Sequence, residues 1–300
     1  MARDTIHLVD ASMYVFRAYY SVAPEFTDHE DQPVHAVQGF LGFLLTLLEQ
    51  AKPSHLMVAF DESLTTSFRN RLYPAYKANR ELPPPDLDRQ FAYCREISAA
   101  LGACVLSDAE YEADDLIGSA LARVRDHGFR GVIVTGDKDL TQLLGPHDQV
   151  WDFAKRERFG ADDIPARMGV RAEQVADFLA LTGDAVDNIP GVPGIGPKTA
   201  SALLAHFGTL DALLERLDEA AYLRGIRGAA GAAAKIRANR ELALMSRTLS
   251  VIALDAPAPA QPEDYRRRAP DLARTDALLD RLRFGPLTRR RVRELAGAQA

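Results

Sequence analysis

Three short apolar runs, each leading to an aspartate, constrain this chain more than any other feature. Ile6–Val9 runs into Asp10, Leu56–Phe60 runs into Asp61, and Val132–Val134 reaches Asp137 through a Thr-Gly step. Runs this short and unbroken suit strands covered on both faces, as in a parallel sheet. Apolar residues recur at three- and four-residue steps over Ala36–Ala51 and Ala113–Val124, the spacing of helices packed on one side. Strands alternating with helices predict an α/β fold with crossover connections, and Val105–Leu106 offers one more short strand. In open parallel sheets the ligand crevice lies beyond the carboxyl ends of the strands, so three strands ending in aspartate predict an acidic rim.

Further carboxylates join these three. Glu112, Asp114 and Asp115 open the second helical stretch, Asp139 follows Asp137, and Asp184 and Asp187 stand three apart at a helix start. Taken alone, any one aspartate after a strand is better read as a helix N-cap or loop residue, and Glu112–Asp115 as a complement to the helix dipole. Together they are costly without a cation, because crowded carboxylates raise one another's pKa. An all-oxygen donor set points to Mg²⁺ or Mn²⁺ rather than zinc. Nine carboxylates exceed the needs of one such ion. Two ions about 4 Å apart clamp the attacking and leaving oxygens of a phosphoryl displacement.

The 300 residues, 47% apolar and 26% charged, allow one large domain or two modest ones with a real core. No basic head with a long apolar run opens the chain, and no stretch approaches the ~18 apolar residues of a membrane helix. The expectation is a soluble, cytoplasmic protein with no membrane partner. Cys94 and Cys104 lack the spacing of a disulfide framework or a thiolate zinc site. A net charge of −6 speaks against nucleic acid for the chain as a whole. After Tyr265, however, ten arginines face four acids, and the run Arg289–Arg293 reads either as a duplex contact or as a solvated helix face.

The stretch Glu62–Cys104 is too long for a simple connection, and its basic, aromatic first part ends in Pro83–Pro85. It is expected to form a mobile gate, since the prolines interrupt any continuous helix. Tyr73, Tyr76, Lys77 and Arg80 interleave aromatic and basic groups as single-strand channels do, or as an ordinary exposed helix would. Phe16, Tyr19, Tyr20 and Phe43 are expected in the core, and His7, His35 and His55 carry no assigned chemistry.

Strands stop near Phe178. GVPGIGPKTA (191–200) then combines glycines that permit close backbone approach with Pro197 in a first helical turn. The helix from Lys198 to Phe207 would present free N–H groups to a phosphate; a plain inter-helix turn is the alternative. Ala229–Thr248 reads as helix, Leu249–Leu254 as a brief apolar run, Ala256–Pro262 as a linker, and the end as a basic helix.

Five segments, LVDASMYVFRAYY (8–20), VAFDESLTTSFRNRLYPAYKANR (58–80), YEADDLIG (111–118), VTGDKDLTQLL (134–144) and LTGDAVDNIPGVPGIGPKTASALLAHFG (181–208), resemble the 5′-nuclease family, as does KIRANRELALMSRTLSVI (235–252). That family includes the N-terminal domain of bacterial DNA polymerase I and the phage flap endonucleases. The resemblance implies a PIN-like parallel-sheet α/β nuclease core with a helical arch over about 62–104. A mainly helical helix–two-turn–helix DNA-binding region would follow, with the division at 1–172 and 173–300. It implies that Asp10, Asp61, Glu112 and Asp114 hold a first metal with Asp115 beside them, and that Asp137, Asp139, Asp184 and Asp187 hold or orient a second.

By the same resemblance, Lys77 and Arg80 stand at the arch base on the scissile phosphate, with Arg17 supporting that charge. Tyr76, Gly194, Gly196, Lys198 and Thr199 contact DNA, and carbonyls of the Gly191–Pro197 turn hold K⁺. The implied activity is 5′-3′ exonuclease and 5′-flap endonuclease cleavage in replication or repair, by a monomer. Its substrate is DNA with 5′ ends or flaps, RNA primer segments included. Ala11 stands where the family has glycine, an added methyl expected to leave the geometry intact. No polymerase follows Ala300, so the chain is read as a standalone nuclease, and its full carboxylate set favours catalysis.

Overall fold

The computed structural model describes residues 3–62 and 65–297. Its first elements are β1 (Thr5–Asp10), α1 (Ala11–Ser21), α2 (His35–Ala51), β2 (His55–Asp61), α3 (Phe68–Leu72), α4 (Pro85–Ala100), β3 (Cys104–Asp108), α5 (Ala113–Arg125) and β4 (Arg130–Val134). There follow β5 (Gln149–Asp152), β6 (Glu157–Gly160), α6 (Ile164–Met168), α7 (Val175–Thr182), α8 (Pro197–Phe207), α9 (Leu210–Glu215) and α10 (Leu217–Ala220). The last are α11 (Ala229–Ala238), α12 (Arg240–Ser250), α13 (Leu272–Arg281) and α14 (Pro286–Gly297). The predicted strands and their separating helices are all present. Among the described residues no helix is long and apolar enough to cross a membrane.

The chain forms two compact units, one of residues 1–62, 82–136 and 254–300, the other of 63–81 and 137–253. This differs from the expected division at 172/173. The C-terminal segment returns to the sheet: Arg267 N–H donates to Ser54 O at 2.8 Å and Arg268 N–H to Gly102 O at 3.0 Å. Gly102 has φ +88, and a Cβ there would lie 1.9 Å from Arg268 O, so the return requires glycine. Tyr265 is wholly buried in this return. Linear composition cannot reveal such a pairing, because its partners are far apart in sequence.

In the first unit β3-β2-β1-β4 are parallel neighbours. Residues of β1, β2 and β4 are buried on both faces, which accounts for their unbroken apolar sequences. β3 is an edge strand with partly exposed side chains, so its apolar signal is weak. Helix α2 ends where Lys52 turns left-handed before Pro53, as the residue preceding proline resists helix. In the second unit β5 and β6 form an antiparallel hairpin with Trp151 opposite Arg158, whose guanidinium lies 3.8 Å from the indole centroid. Strands of four residues are too short to carry a readable period. The expected helix over Ala229–Thr248 is broken at Asn239, and its second half continues through Ser250. Tyr20 is 71% exposed rather than in the core.

Candidate active site

Strand register builds the first unit's acidic group. Asp10 pairs with Ala59, two residues before Asp61, so Asp10 and Asp61 share a sheet face at the carboxyl ends of adjacent strands. The Thr135 hydroxyl, itself fully buried, donates to Asp10 Oδ2 at 2.9 Å. Asp61 Oδ1 accepts from the Ala113 N–H at 2.9 Å, which ties β2 to the first turn of α5. Asp61 N–H donates to Ser12 Oγ at 2.8 Å.

A capping box starts α5: Asp115 Oδ2 accepts the Glu112 N–H at 3.0 Å while the Glu112 carboxylate accepts the Asp115 N–H. Asp115 is fully buried and thus takes part in capping, whereas Asp114 beside it is half-buried. Sequence reasoning missed Thr135 and Asp108. The latter pairs in register with Asp61, and its Oδ1 accepts from the Glu110 and Tyr111 N–H groups, shaping the turn into Glu112. Arg17 is exposed on α1.

The second unit's carboxylates sit on turns. Asp137 Oδ1 accepts the Asp139 N–H at 2.9 Å, and Asp184 Oδ1 accepts the Val186 N–H at 2.7 Å. Burial, then the charge of Asp137, pushes the Asp139 carboxyl up against the opposing pull of Lys138; Asp184 and Asp187 add to the push. Burial and the charge of Asp187 likewise raise Asp137, whose solvent-exposed flank tempers the first of these. Burial would raise Asp184 too, but Lys138 Nζ at 2.7 Å and main-chain N–H groups outweigh it and hold that carboxyl low. Lys138, between two of the expected ligands, was overlooked as their counter-ion.

Asp187 anchors the basic segment of the same unit. It pairs with Arg80 Nη2, its Oδ2 lies 3.8 Å from Lys77 Nζ, and the Tyr76 hydroxyl donates to that oxygen at 3.4 Å. Asn79 Nδ2 donates to Ala185 O, and Asn188 Nδ2 to Ala75 O. The expected gate is therefore docked over residues 73–80. Tyr76 is 3% exposed and packs with Ile189 and Leu249, so it offers no stacking face to DNA. Its aromatic-basic spacing came from a packed tyrosine beside half-buried cations that pair with Asp187.

Gly183 (φ +73) and Gly191 (φ +62) pass so closely that a Cβ on Gly191 would lie 2.2 Å from Gly183 N. This contact presents the 191–200 turn, where Gly194, Gly196 and Lys198 are exposed and Thr199 half-buried. No side chain caps α8, which begins at Pro197. Lys235 Nζ donates to Gly194 O at 3.1 Å. The arginines of 289–293 pair within the first unit: Arg289 and Arg293 with Asp276, Arg290 with Glu294 and Arg291 with Glu49.

Asp139 Oδ1 is buried with no hydrogen-bond partner among the described residues, and it sits among like charges. An oxygen so placed fits a divalent cation. Among the described residues no group of three or more His, Cys, Asp or Glu side chains is placed so that it could hold a metal ion. Mg²⁺ needs none, since it binds through one or two carboxylates and keeps several waters.

The family model described as 5′-3′ exonuclease, N-terminal resolvase-like domain, matches residues 5–178, and 5′-3′ exonuclease, C-terminal SAM fold, matches 170–273. DNA polymerase I of Rhizobium leguminosarum is 40% identical over 261 residues, covering 85% of this chain and 25% of that protein. DNA polymerase I of Bacillus caldotenax is 37% identical over 284 residues, covering 92% and 31%. The chain thus spans about a quarter to a third of the length of these relatives. Among solved structures, the T5 5′-exonuclease with bound zinc has a TM-score of 0.65 at 20% identity, covering 97% of this chain and 99% of that one. The catalytic core of Rad2 in complex with DNA substrate has a TM-score of 0.65 at 16% identity, covering 98% and 91%. These two structural likenesses show a shared fold.

Proposed function

Since the chain belongs to the 5′-3′ exonuclease family, we propose that it hydrolyses DNA phosphodiesters near a free 5′ end, as a 5′-3′ exonuclease and 5′-flap endonuclease. The observation that carries this reading is the aspartate cluster of the second unit, with the unpartnered Asp139 oxygen at its heart. Asp137, Asp139, Asp184 and Asp187 would hold or orient one Mg²⁺ or Mn²⁺, one or two of them bonding it directly and the others acting through its waters. Asp10, Asp61, Glu112 and Asp114 hold another, with Asp115 fixing the loop that carries two of them. Such ions, when bound, lower the pKa of an attacking water and take up charge on the leaving oxygen.

The chain's own groups do the rest. Thr135 and the Ala113 N–H fix the orientation of Asp10 and Asp61. Lys77 and Arg80 supply fixed positive charge to the phosphate as negative charge moves in the transition state, with Arg17 in support. Gly194, Gly196, Lys198 and Thr199 hold duplex phosphates without reading sequence, assisted by K⁺ on carbonyls of the same turn. The substrates are 5′ ends and flaps, RNA primer segments included, handled by a cytoplasmic monomer in replication or repair.

Labelled 5′ flap, nicked duplex and single strand, each incubated with Mg²⁺ or with EDTA, test the reading. It predicts Mg²⁺-dependent release of short 5′ products from flap and nicked duplex. Tight flap binding with no products under either condition overturns it.

A further inference from the structure

Most arginines of the second unit are committed within it. Arg80, Arg167, Arg171, Arg216, Arg237 and Arg247 pair with carboxylates. Arg224 and Arg227 differ: both are exposed, and among the described residues neither makes an ion pair or hydrogen bond. The nearest acids in sequence are taken by other cations, Asp218 by Arg237, and Glu219 by Arg216 and His206. The loop therefore keeps two positive charges with no counter-charge nearby in sequence left to neutralise them. Arg156 is also unpaired among the described residues, but it is a single such cation in the β5–β6 turn, where Lys155 pairs with Asp152.

Beside the two arginines, Tyr222 is 85% exposed. Gly225 (φ +99) and Gly228 (φ +76) have open space where a Cβ would stand, so the loop leaves its main chain accessible. Helix α11 follows directly, and its Lys235 is fixed to Gly194 O at 3.1 Å. The seven residues from Gly228 to Lys235 span roughly 10 Å of helix. That is well within one helical turn of a duplex, about 34 Å.

We propose that the loop 222–228 is a second phosphate-contacting surface for duplex DNA, continuing the track that begins at the Gly194–Thr199 turn. Arg224 and Arg227 neutralise backbone phosphates through charge-assisted hydrogen bonds, and the Tyr222 hydroxyl donates to a phosphate oxygen. The contacts ignore base sequence. This inference rests on the DNA reading above.

Anisotropy of a fluorescent 5′-flap duplex, titrated with the full chain in EDTA across a series of KCl concentrations, tests it. Arg224→Gln with Arg227→Gln is expected to weaken binding and to lower the salt slope of log K by about two, one per lost phosphate contact. Tyr222→Phe should weaken binding with the slope unchanged, and Arg156→Gln should change neither. Circular dichroism melting checks that each variant is folded. Wild-type binding with an unaltered slope in the folded double variant overturns this surface alone. A wild-type chain that binds no DNA overturns the underlying reading as well.

Discussion

The two acidic groups are held by different means. In the first unit, aspartates close strands whose register is set by apolar pairing, and Asp10 and Asp61 are oriented by the Thr135 hydroxyl and the Ala113 N–H. In the second, aspartates sit on turns, and the balance comes from side-chain cations, Lys138 on Asp184 and Arg80 with Lys77 on Asp187. Hydrogen bonds from fixed donors orient a carboxylate while leaving its charge in place. Cations neutralise the charge, and at Asp139 burial, then the charge of Asp137, outweighs Lys138 and pushes the carboxyl upward. The first group is thus oriented by fixed hydrogen-bond donors, and the second is balanced by side-chain cations.

Removing one carboxylate from each group tests whether both are needed. Asp114→Asn with Asp137→Asn should slow single-turnover flap cleavage by about 10³-fold or more, the rate equivalent of losing several kcal/mol of transition-state stabilisation. Flap affinity in EDTA should hold or rise as repulsion of phosphate falls. A smaller loss is expected from Lys77→Ala, about 10²-fold in the cleavage step at saturating enzyme. A large loss of flap affinity with an unchanged rate would make Lys77 an anchor only.

Thr135→Val bears on how the first group is oriented. Mn²⁺ affinity should fall about tenfold to a hundredfold, as for other groups that orient metal ligands, with recovery in Thr135→Ser. Equal losses in both variants would point to packing at this buried site.

Asp139→Asn tests the second group through its repulsion. A carboxyl raised in the fold binds its proton more tightly there than in the unfolded chain, so stability without metal declines as pH rises through the raised value. The substitution should therefore raise the melting temperature in EDTA at neutral pH and make little difference in acid. An equal shift at both pH values would contradict the electrostatic origin.

The same contrast explains what was legible in the sequence. Asp10 and Asp61 are visible because an apolar strand leads straight into each, and period alone marks the strand. The acidic start of α5 was also readable, but the capping role of Asp115 shows only in its bond to the Glu112 N–H. Thr135 was not readable, since a hydroxyl one residue past a strand carries no periodic signal until Asp10 is seen 2.9 Å away. Lys138 lay in plain view between two aspartates, but its choice of Asp184 depends on the fold of two distant turns. Tyr76 misled because aromatic-basic spacing does not distinguish an open stacking face from a ring packed on Ile189 and Leu249. The return of 266–271 to Ser54 and Gly102 escaped because it is made by main-chain bonds that any sequence supports.

The central claim is that each group of carboxylates holds its own divalent ion and that cleavage needs both. Mn²⁺ binding followed by electron paramagnetic resonance, in the wild-type chain, in Asp61→Asn and in Asp139→Asn, addresses it most directly, with flap cleavage read on the same samples. The account predicts two ions on the wild type, one on each variant, and loss of cleavage in both. Two ions and retained cleavage in Asp139→Asn would contradict it.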